Sequence, residues 1–451
     1  MTRQTLAVAT LLFLGTSWAP AQPMTLKQCL AFARTENSNV KIARIESAIS
    51  GKKVTEQIGK GLPQVSATGQ LENNLDLATS LMPGELFGAP GTYIPIKTGT
   101  KYDANATVSL SQKLLDASFW VGLKAAKLSD TQSNLSLRQA DENTCYNVCV
   151  AYFRTLVLQR KRDNLQTMLN ASRTTLASTL LKFKNGIGKA IDVDKIRVSS
   201  NTTQSQLQEI ELNYTYTLNM LKYCMGMPMD SSIVLTDTLD SAEEFTPARD
   251  TTLNLSPILN ARVEYQMEKL NLSIQEADRS NNIAAFFPTI SLFANYSFKA
   301  MSPAFDVFKS GTDWYKSSAV GLTVSLPIFS GFQKISKVSQ SDLGIREAEE
   351  SIRLKERAIH LEVSNVEIQY TTAINNIRTE RDNLALAERV YRNTQLEYQQ
   401  GSGSSLELIQ SESVLRETQN NYYTTLLALY TSRLDREKAR GTLTEFINHI
   451  Q

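Results

Sequence analysis

The chain contains two copies of one pattern, and this internal repeat limits the possible folds more than any other feature. Gly186-Ile187-Gly188 recurs as Gly401-Ser402-Gly403, a separation of 215 residues (401 − 186). The motif Leu62-Pro63 recurs as Phe287-Pro288, at 225 residues (288 − 63). Repetition at a fixed spacing predicts one structural unit that is built twice.

The first residues have the pattern of an export signal. Arg3 precedes an apolar stretch over residues 6–18, and Ala-Pro-Ala at 19–21 fits a cleavage site before Gln22. The mature chain is therefore expected to be exported. No later segment reaches the roughly 20 continuous apolar residues of a membrane helix. Lys and Arg (47) nearly balance Asp and Glu (45), so no nucleic-acid partner is indicated.

Four segments alternate between apolar and polar residues with the period of two that is typical of β-strands. They cover residues 63–75, 103–114, 288–299 and 317–328. The alternating stretches are about 9–12 residues long, the length that a tilted strand needs to cross an outer membrane. A soluble antiparallel sheet with one wet face gives the same alternation. The export signal and aromatic residues near the strand ends, such as Phe287 and Trp314, favour the membrane.

Four strands are too few to close a barrel, and open sheet edges are not tolerated in lipid. The chain is therefore expected to form oligomers. Two copies supply about eight strands, whose interior is filled by side chains, whereas three copies supply about twelve and leave a lumen. An open duct favours the homotrimer.

Each strand pair is followed by a long segment without proline, in which apolar residues recur at helical spacing. These segments cover residues 118–185 and 332–400, and shorter helices are predicted at 191–225 and 406–440. At 1.5 Å per residue, each long helix extends on the order of 100 Å. This length predicts a tube of coiled helical hairpins.

The pattern predicts an α+β membrane protein with two repeats. In chain order the predicted parts are a signal peptide at 1–21, repeat 1 at 22–227 with its hairpin tip near 186–190, a connector at 228–255, and repeat 2 at 256–451 with its tip near 401–405. The connector contains a predicted short strand at 232–236. Loops at 82–95 and 301–313 are rich in proline and glycine and are expected to cap the outer end of a barrel.

Catalytic and cofactor sites are not indicated. The four cysteines are too sparse for a disulfide framework, and Cys145 and Cys149 share a helix face without a third metal ligand, which favours core packing. His360 and His449 lack metal spacing, and no phosphate loop or nucleophile elbow is present. An exported coiled-coil structural or adhesive protein without a pore explains the helices equally well. It leaves the four strands without a purpose.

Several motifs together carry a family resemblance that covers essentially the whole mature sequence. They are the two strand openings, the junction Ser325-Leu326-Pro327-Ile328-Phe329-Ser330-Gly331, and the tip loops at 183–194 and 398–410. The chain resembles the TolC-type outer-membrane efflux proteins. The first junction departs from the family pattern, with Lys113 in place of proline and Ala117 in place of glycine.

The resemblance implies a homotrimeric, gated duct without a cofactor. It consists of a twelve-stranded barrel in the outer membrane, in contact with lipid, and an α-helical tunnel that extends into the periplasm. A periplasmic adaptor (membrane fusion protein) and an inner-membrane transporter complete a pump that exports small molecules such as drugs and toxic compounds. Type I protein secretion uses the same architecture and stays open as an alternative.

The resemblance also assigns residues to the gate. Asp192 and Glu407 match acidic residues at the periplasmic pore entrance, and Tyr398 matches a tyrosine of the closing network. Gln410 stands where the best-known member has a second aspartate, and Gly403 where it has an arginine. A ring of carboxylates favours cations. Capping of the helix that follows explains the two first-turn acids equally well.

The hairpin tips are the surface that the resemblance assigns to the adaptor. The docking residues implied in this way are Gly186, Gly188, Lys189, Gly401, Gly403 and Ser404.

Overall fold

The structure is a computed structural model that describes residues 22–88, 90–237 and 254–449. The predicted signal peptide, 1–21, and residues 238–253 of the predicted connector lie outside the described residues. In the described ranges, no helix combines the length and the apolar character needed to cross a membrane.

The chain divides into two compact units, and each takes segments from both repeats. One consists of Met1–Ile45, Leu135–Gln266 and Leu354–Gln451, and the other of Glu46–Asn134 and Met267–Arg353.

The helices reproduce the two-copy pattern in their lengths. They are α1 (Leu26–Glu36), α2 (Ser38–Gly59), α3 (Ala117–Lys184), α4 (Ala190–Met225), α5 (Leu255–Ala261), α6 (Val263–Ala284), α7 (Gln333–Gln400), α8 (Ser405–Arg440) and α9 (Leu443–His449). Helices α3 and α7 have 68 residues each, and α4 and α8 have 36 each. Helices α3 and α4 form hairpin 1, and α7 and α8 form hairpin 2. The predicted long helical hairpins are confirmed, with ends within one residue of the expected positions.

The first unit is held by an apolar core between α1, α3 and α4. Tyr152, Leu156, Leu221 and Met225 are almost completely buried there. Full burial of each such side chain stabilises the fold by about 2 kcal/mol. Burial of these side chains packs α1, α3 and α4 against one another.

The four cysteines are free and buried in this same core. Burial raises the pKa of Cys29 to about 12 and that of Cys145 to about 11, so both thiols stay protonated near neutral pH. The interpretation of the cysteines as core residues is confirmed.

The second unit contains the predicted four-stranded sheet. The strands of the chain are β1 (Gln22–Met24), β2 (Gln64–Asn73), β3 (Thr79–Pro83), β4 (Tyr93–Lys97), β5 (Tyr102–Leu115), β6 (Ile233–Leu235), β7 (Thr289–Ser302) and β8 (Trp314–Ser325). The sheet has the order β2-β5-β7-β8, and every neighbouring pair is antiparallel. Repeat 1 supplies β2 and β5, and repeat 2 supplies β7 and β8, so the central β5–β7 pair joins the repeats.

The predicted bounds of the fourth strand are wrong. The sequence predicts it at 317–328, whereas β8 begins at Trp314 and ends at Ser325. Pro327 has no amide hydrogen to donate to a ladder, so the segment 326–328 lies outside the sheet. The third strand was predicted to end at 299, and β7 continues to Ser302 because it stays paired with β5 up to Tyr102.

Two shorter strand pairs lie outside the four-stranded sheet. The proline- and glycine-rich loop at 82–95 is partly ordered as strand, because β3 and β4 form an antiparallel ribbon in which Leu81 faces Pro95. The short strand predicted at 232–236 is β6, which pairs in parallel with β1.

Candidate functional site

The two hairpin tips have the same backbone. Tip 1 is defined as residues 182–197 and tip 2 as residues 397–412, which correspond at the repeat separation of 215. Gly186 and Gly401 adopt left-handed φ values of 79° and 82°, which end α3 and α7. The amide that follows each glycine donates to a carbonyl five residues earlier, Ile187 to Lys182 and Ser402 to Glu397, at 3.0 Å in both tips.

The second glycine of each tip lies against the helix that precedes it. A Cβ added at Gly188 would stand 2.9 Å from the backbone nitrogen of Phe183, and one added at Gly403 would stand 3.1 Å from that of Tyr398. A side chain here would push the loop away from the helix end. The spacing Gly-x-Gly is thus explained by the turn itself, and a docking role for these glycines stays a prediction.

The caps of the helices that follow the tips differ. Ser404 and Glu407 form a capping box on α8: the Ser404 amide donates to Glu407 Oε2 at 3.0 Å, and the Glu407 amide donates to Ser404 Oγ at 3.2 Å. The amide and hydroxyl of Ser404 lower the pKa of Glu407. Lys189 holds the equivalent position before α4 and makes no side-chain cap bond.

Asp192, the repeat equivalent of Glu407, bonds to the other hairpin. Its Oδ1 accepts a hydrogen bond of 2.6 Å from Oγ of Ser405, a buried residue in the first turn of α8. The two acidic residues predicted for the pore entrance therefore have different contacts. Glu407 caps its own helix, whereas Asp192 joins hairpin 1 to hairpin 2.

Tyr398 makes the second bond between the hairpins. Its hydroxyl lies 2.8 Å from Oγ1 of Thr179, which donates its own proton to the Thr175 carbonyl at 2.9 Å, so Tyr398 is the donor. Lys182 Nζ lies 5.4 Å from the centre of the Tyr398 ring and 3.5 Å from the carbonyl oxygens of Tyr398 and Gln399. A cation is favoured at both places, over an aromatic face and at a helix C-terminus. No sequence motif indicated this role for Lys182.

Gln410 and Glu407 line one groove between α7 and α8, with a volume of about 650 Å³. Leu386, Val390 and Val414 supply exposed apolar surface to it, and Glu380 and Glu417 add two further acidic side chains. Asp192 and Tyr398 do not line this groove. Of the four predicted gate residues, Glu407 and Gln410 therefore line the groove. Asp192 and Tyr398 instead form contacts between the hairpins.

Sequence reasoning missed a buried polar network between α4 and α8 that begins at the edge of tip 2. Glu412 is only 5% exposed and accepts a hydrogen bond of 3.1 Å from Ser199 on α4. Arg416 lies 3.6 Å from Glu412 and donates to Thr203 Oγ1 at 2.6 Å. Burial, reinforced by the charge of Glu412, raises the pKa of Tyr391 to about 12. The one signal that could have revealed it is the spacing of Glu412 and Arg416 by four residues, which is typical of an ion pair on one helix face. The hydroxyl groups of α4 that surround this pair could not be predicted from the sequence.

The contacts between α4 and α8 follow one register. Asp192 with Ser405, Ser199 with Glu412, and Thr203 with Arg416 are each 213 residues apart. The second helices of the two hairpins therefore pack side by side, in the same direction, over about three turns.

Comparison with known sequences decides the family. The profile described as "Outer membrane efflux protein" matches residues 33–227 and 255–445. The chain belongs to this family. The outer membrane protein TolC of Vibrio cholerae is 20% identical over 347 residues, which cover 76% of this chain and 77% of TolC. The alkaline protease secretion protein AprF of Pseudomonas aeruginosa is 22% identical over 339 residues, covering 72% and 67%.

Solved structures show the same fold. A crystal structure of CusC matches with a TM-score of 0.73 and 16% identity, over 92% of this chain and 91% of CusC. The chain is thus an outer-membrane efflux channel that extends into the periplasm, and the family and fold inferred from the sequence are confirmed. The outer membrane efflux protein family consists of ducts for transport.

Proposed function

We propose that three copies of this efflux protein form a gated duct that exports small molecules. The sheet supports this assembly, because β2 and β8 are edge strands that each pair on one side only. Unpaired backbone groups in lipid cost several kcal/mol each. Pairing of β8 with β2 of the next copy removes every edge, and three sheets supply the roughly twelve strands of a barrel with a lumen.

Exposed apolar residues on the sheet support contact with outer-membrane lipid. Val320, Leu322 and Val324 alternate along β8 and are 75%, 61% and 64% exposed in a single copy. The residues between them, Gly321 and Thr323, are small or polar. Such alternation fits one face toward lipid and the other toward a lumen.

The gate proposal rests on the contacts between the hairpins. The Tyr398–Thr179 and Asp192–Ser405 hydrogen bonds hold the two hairpins together near their tips in one copy. Opening of the tunnel mouth requires the tips to separate and these bonds to break. Asp192 and Glu407 supply two carboxylates per copy, which favour cations in a narrow entrance.

The tip loops and the groove between α7 and α8 are the surface that we assign to the periplasmic adaptor. The groove combines apolar side chains with the carboxylates of Glu380, Glu407 and Glu417. This chemistry fits a helical segment with one apolar face and basic residues beside it. An inner-membrane transporter completes the pump and selects the cargo. Protein secretion is the second candidate function, and the similarity to AprF favours it.

Efflux in cells tests the proposal. A strain that lacks this chain is complemented with the wild type or with Glu380→Lys/Glu417→Lys, which changes one groove residue on α7 and one on α8. The matched control is Glu347→Lys/Glu349→Lys, at exposed positions of α7 outside the groove. We expect the wild type and the control to expel a fluorescent dye, and the groove variant to retain it while still reaching the outer membrane. Normal efflux by the groove variant would remove the groove from the docking surface. Loss of a secreted protein, with normal dye efflux, in the strain without the chain would favour secretion.

A further inference from the structure

The connection between β7 and β8, residues 303–313, is defined as the flap, and it packs on one face of the four-stranded sheet. Val307 in the flap is completely buried against Ala104 of β5 and Ala300 of β7, which are buried as well. Ala104 and Ala300 lie opposite each other in the β5–β7 pair. The flap therefore covers the last rows of that face.

Hydrogen bonds give the flap a defined shape. The hydroxyl of Ser302 donates to Asp306 Oδ1 and accepts a bond of 3.2 Å from the Ala304 amide. The hydroxyl of Thr312 donates to the Asp306 carbonyl oxygen at 2.9 Å. The flap is thus an ordered element, and the Asp306 carboxylate already has a partner within it.

The flap lies on the face of the sheet that we assign to lipid. Residues at even separations along a strand share a face, so Ala300 lies on the same face as Ala294, which pairs with the exposed Val320 of β8. Strand β7 follows α6 and strand β8 precedes α7, so these helices enter the sheet at one end and the flap lies at the other. Because the helices extend into the periplasm, the flap is at the level of the outer leaflet.

Exposed aromatic rings lie at the flap. Phe305 contacts Tyr102 of β5, with ring centres 5.4 Å apart, and Phe308 contacts Trp314 of β8 at 6.4 Å. Phe305 and Phe308 are nevertheless 66% and 68% exposed. Exposed aromatic rings at the ends of barrel strands are typical of the boundary between acyl chains and headgroups. The flap therefore has the side chains expected at that boundary.

The flap and the strands beside it carry exposed lysines, which are Lys101, Lys309 and Lys316. The Lys101 Nζ lies 5.7 Å from the centre of the Tyr102 ring, and Lys316 shares the outward face of β8 with Val320. Within the described part of the chain these three lysines form no ion pair. The two acidic residues of the flap offset their charge only in part, and one of them, Asp306, is bonded to Ser302.

We propose that the flap is a binding site for lipid with anionic phosphate headgroups in the outer leaflet. The ammonium groups of Lys101, Lys309 and Lys316 meet the phosphates, and the rings of Phe305 and Phe308 lie at the start of the acyl chains. Lysine is a common phosphate ligand, and its aliphatic stem can follow apolar surface while its charge reaches the headgroup. This inference rests on the proposed duct, because the barrel sets the depth of the flap in the membrane.

Native mass spectrometry of the purified mature protein measures the oligomer and the lipid that it retains in one spectrum. The protein is mixed with equal amounts of diphosphorylated lipid A and phosphatidylcholine, whose headgroup has no net charge. We expect the wild type to retain lipid A severalfold over phosphatidylcholine. Lys309→Gln/Lys316→Gln should lower the retained lipid A severalfold. Lys184→Gln/Lys189→Gln, which removes the same charge from exposed positions of tip 1, should retain as much as the wild type.

A further variant separates an ordered site from simple charge attraction. Val307→Asn leaves the three lysines and the net charge unchanged but places a polar group where the flap contacts the sheet, so it should also lower lipid A retention. Equal retention by the wild type and the lysine variant overturns the lipid site, as does an equal loss in the tip 1 control or full retention by Val307→Asn. A trimer in the same spectrum leaves the duct standing in each of these cases. A monomer overturns the duct together with the lipid site.

Discussion

Tip 1 and tip 2 occupy the same position in two copies of one pattern, and they differ only in what their side chains do. Their turns share the left-handed Gly186 and Gly401 and the same 3.0 Å backbone bond. Ser404 caps α8, whereas Lys189 leaves α4 without a side-chain cap. The two turns thus share a backbone but differ in charge: tip 1 contains five Lys or Arg and two Asp, whereas tip 2 contains three Glu and no Lys or Arg.

The last residues of the two tips also share a position in the repeat but differ in their contacts. Arg197 and Glu412 are repeat equivalents (412 − 197 = 215), and each has an ion-pair partner on its own helix. The Arg197–Asp194 pair is exposed, whereas Glu412 and Arg416 are largely buried between α4 and α8. Equivalent positions thus form a solvent-exposed ion pair in hairpin 1 and a largely buried ion pair in hairpin 2.

The largest expected effect comes from breaking the buried pair. Arg416→Met leaves the Glu412 carboxylate buried without its cation, which should destabilise the fold by about 3 kcal/mol. Arg197→Met removes only an exposed pair and should cost less than about 1 kcal/mol. Thermal unfolding followed by circular dichroism in one detergent compares the two variants. Equal shifts in the unfolding midpoint would mean that the buried and the exposed ion pair contribute equally to stability.

The next effect is on the closed state. Tyr398→Phe/Asp192→Ala removes the Tyr398–Thr179 and Asp192–Ser405 hydrogen bonds, the two side-chain bonds between the hairpins nearest the turns, which together stabilise the contact by about 2 kcal/mol per copy. This corresponds to roughly a 30-fold change in a closed-to-open equilibrium per copy. Open probability in planar bilayers should rise, and Tyr216→Phe, at an exposed tyrosine of α4, should change nothing. A double variant that stays as closed as the wild type contradicts the role of these bonds.

A smaller effect distinguishes the caps. Ser404→Ala should destabilise α8 by about 1 kcal/mol, because one first-turn amide loses its acceptor. Lys189→Ala removes no cap bond from α4 and should leave stability unchanged. Hydrogen exchange of the amides in the first turns of α4 and α8 measures both. Equal loss of protection in the two helices would show that the caps are equivalent.

The smallest effect is a pH dependence at the start of α8. Because the pKa of Glu407 is lowered from 4.5, its ionised form is the one that the folded state favours. The stability that it contributes is present above pH 4.5 and is lost as pH falls through the lowered pKa. Amide exchange at the start of α8 should therefore speed up in acid, and Glu407→Gln should abolish that dependence.

Periodic features of the sequence predicted the fold well. Helix ends were placed within a residue because Gly186 and Gly401 mark them and no proline interrupts α3 or α7. The end of β8 was misplaced because alternation continues past Ser325, while Pro327 cannot pair. The sequence predicted one shared role for Asp192 and Glu407, as acidic residues at the pore entrance. Their difference depends on Ser404 and Ser405, and only the packing of α4 against α8 shows which serine each acid meets.

The most direct test of a gated trimeric duct combines two quantities on the purified mature protein in lipid bilayers. These are the oligomer mass and the single-channel conductance, the latter recorded for the wild type and for Asp192→Ala/Glu407→Ala. A trimer with a low, mostly closed conductance that rises or changes ion selectivity in the variant is the predicted result. A monomer or dimer without conductance under any condition would contradict the duct.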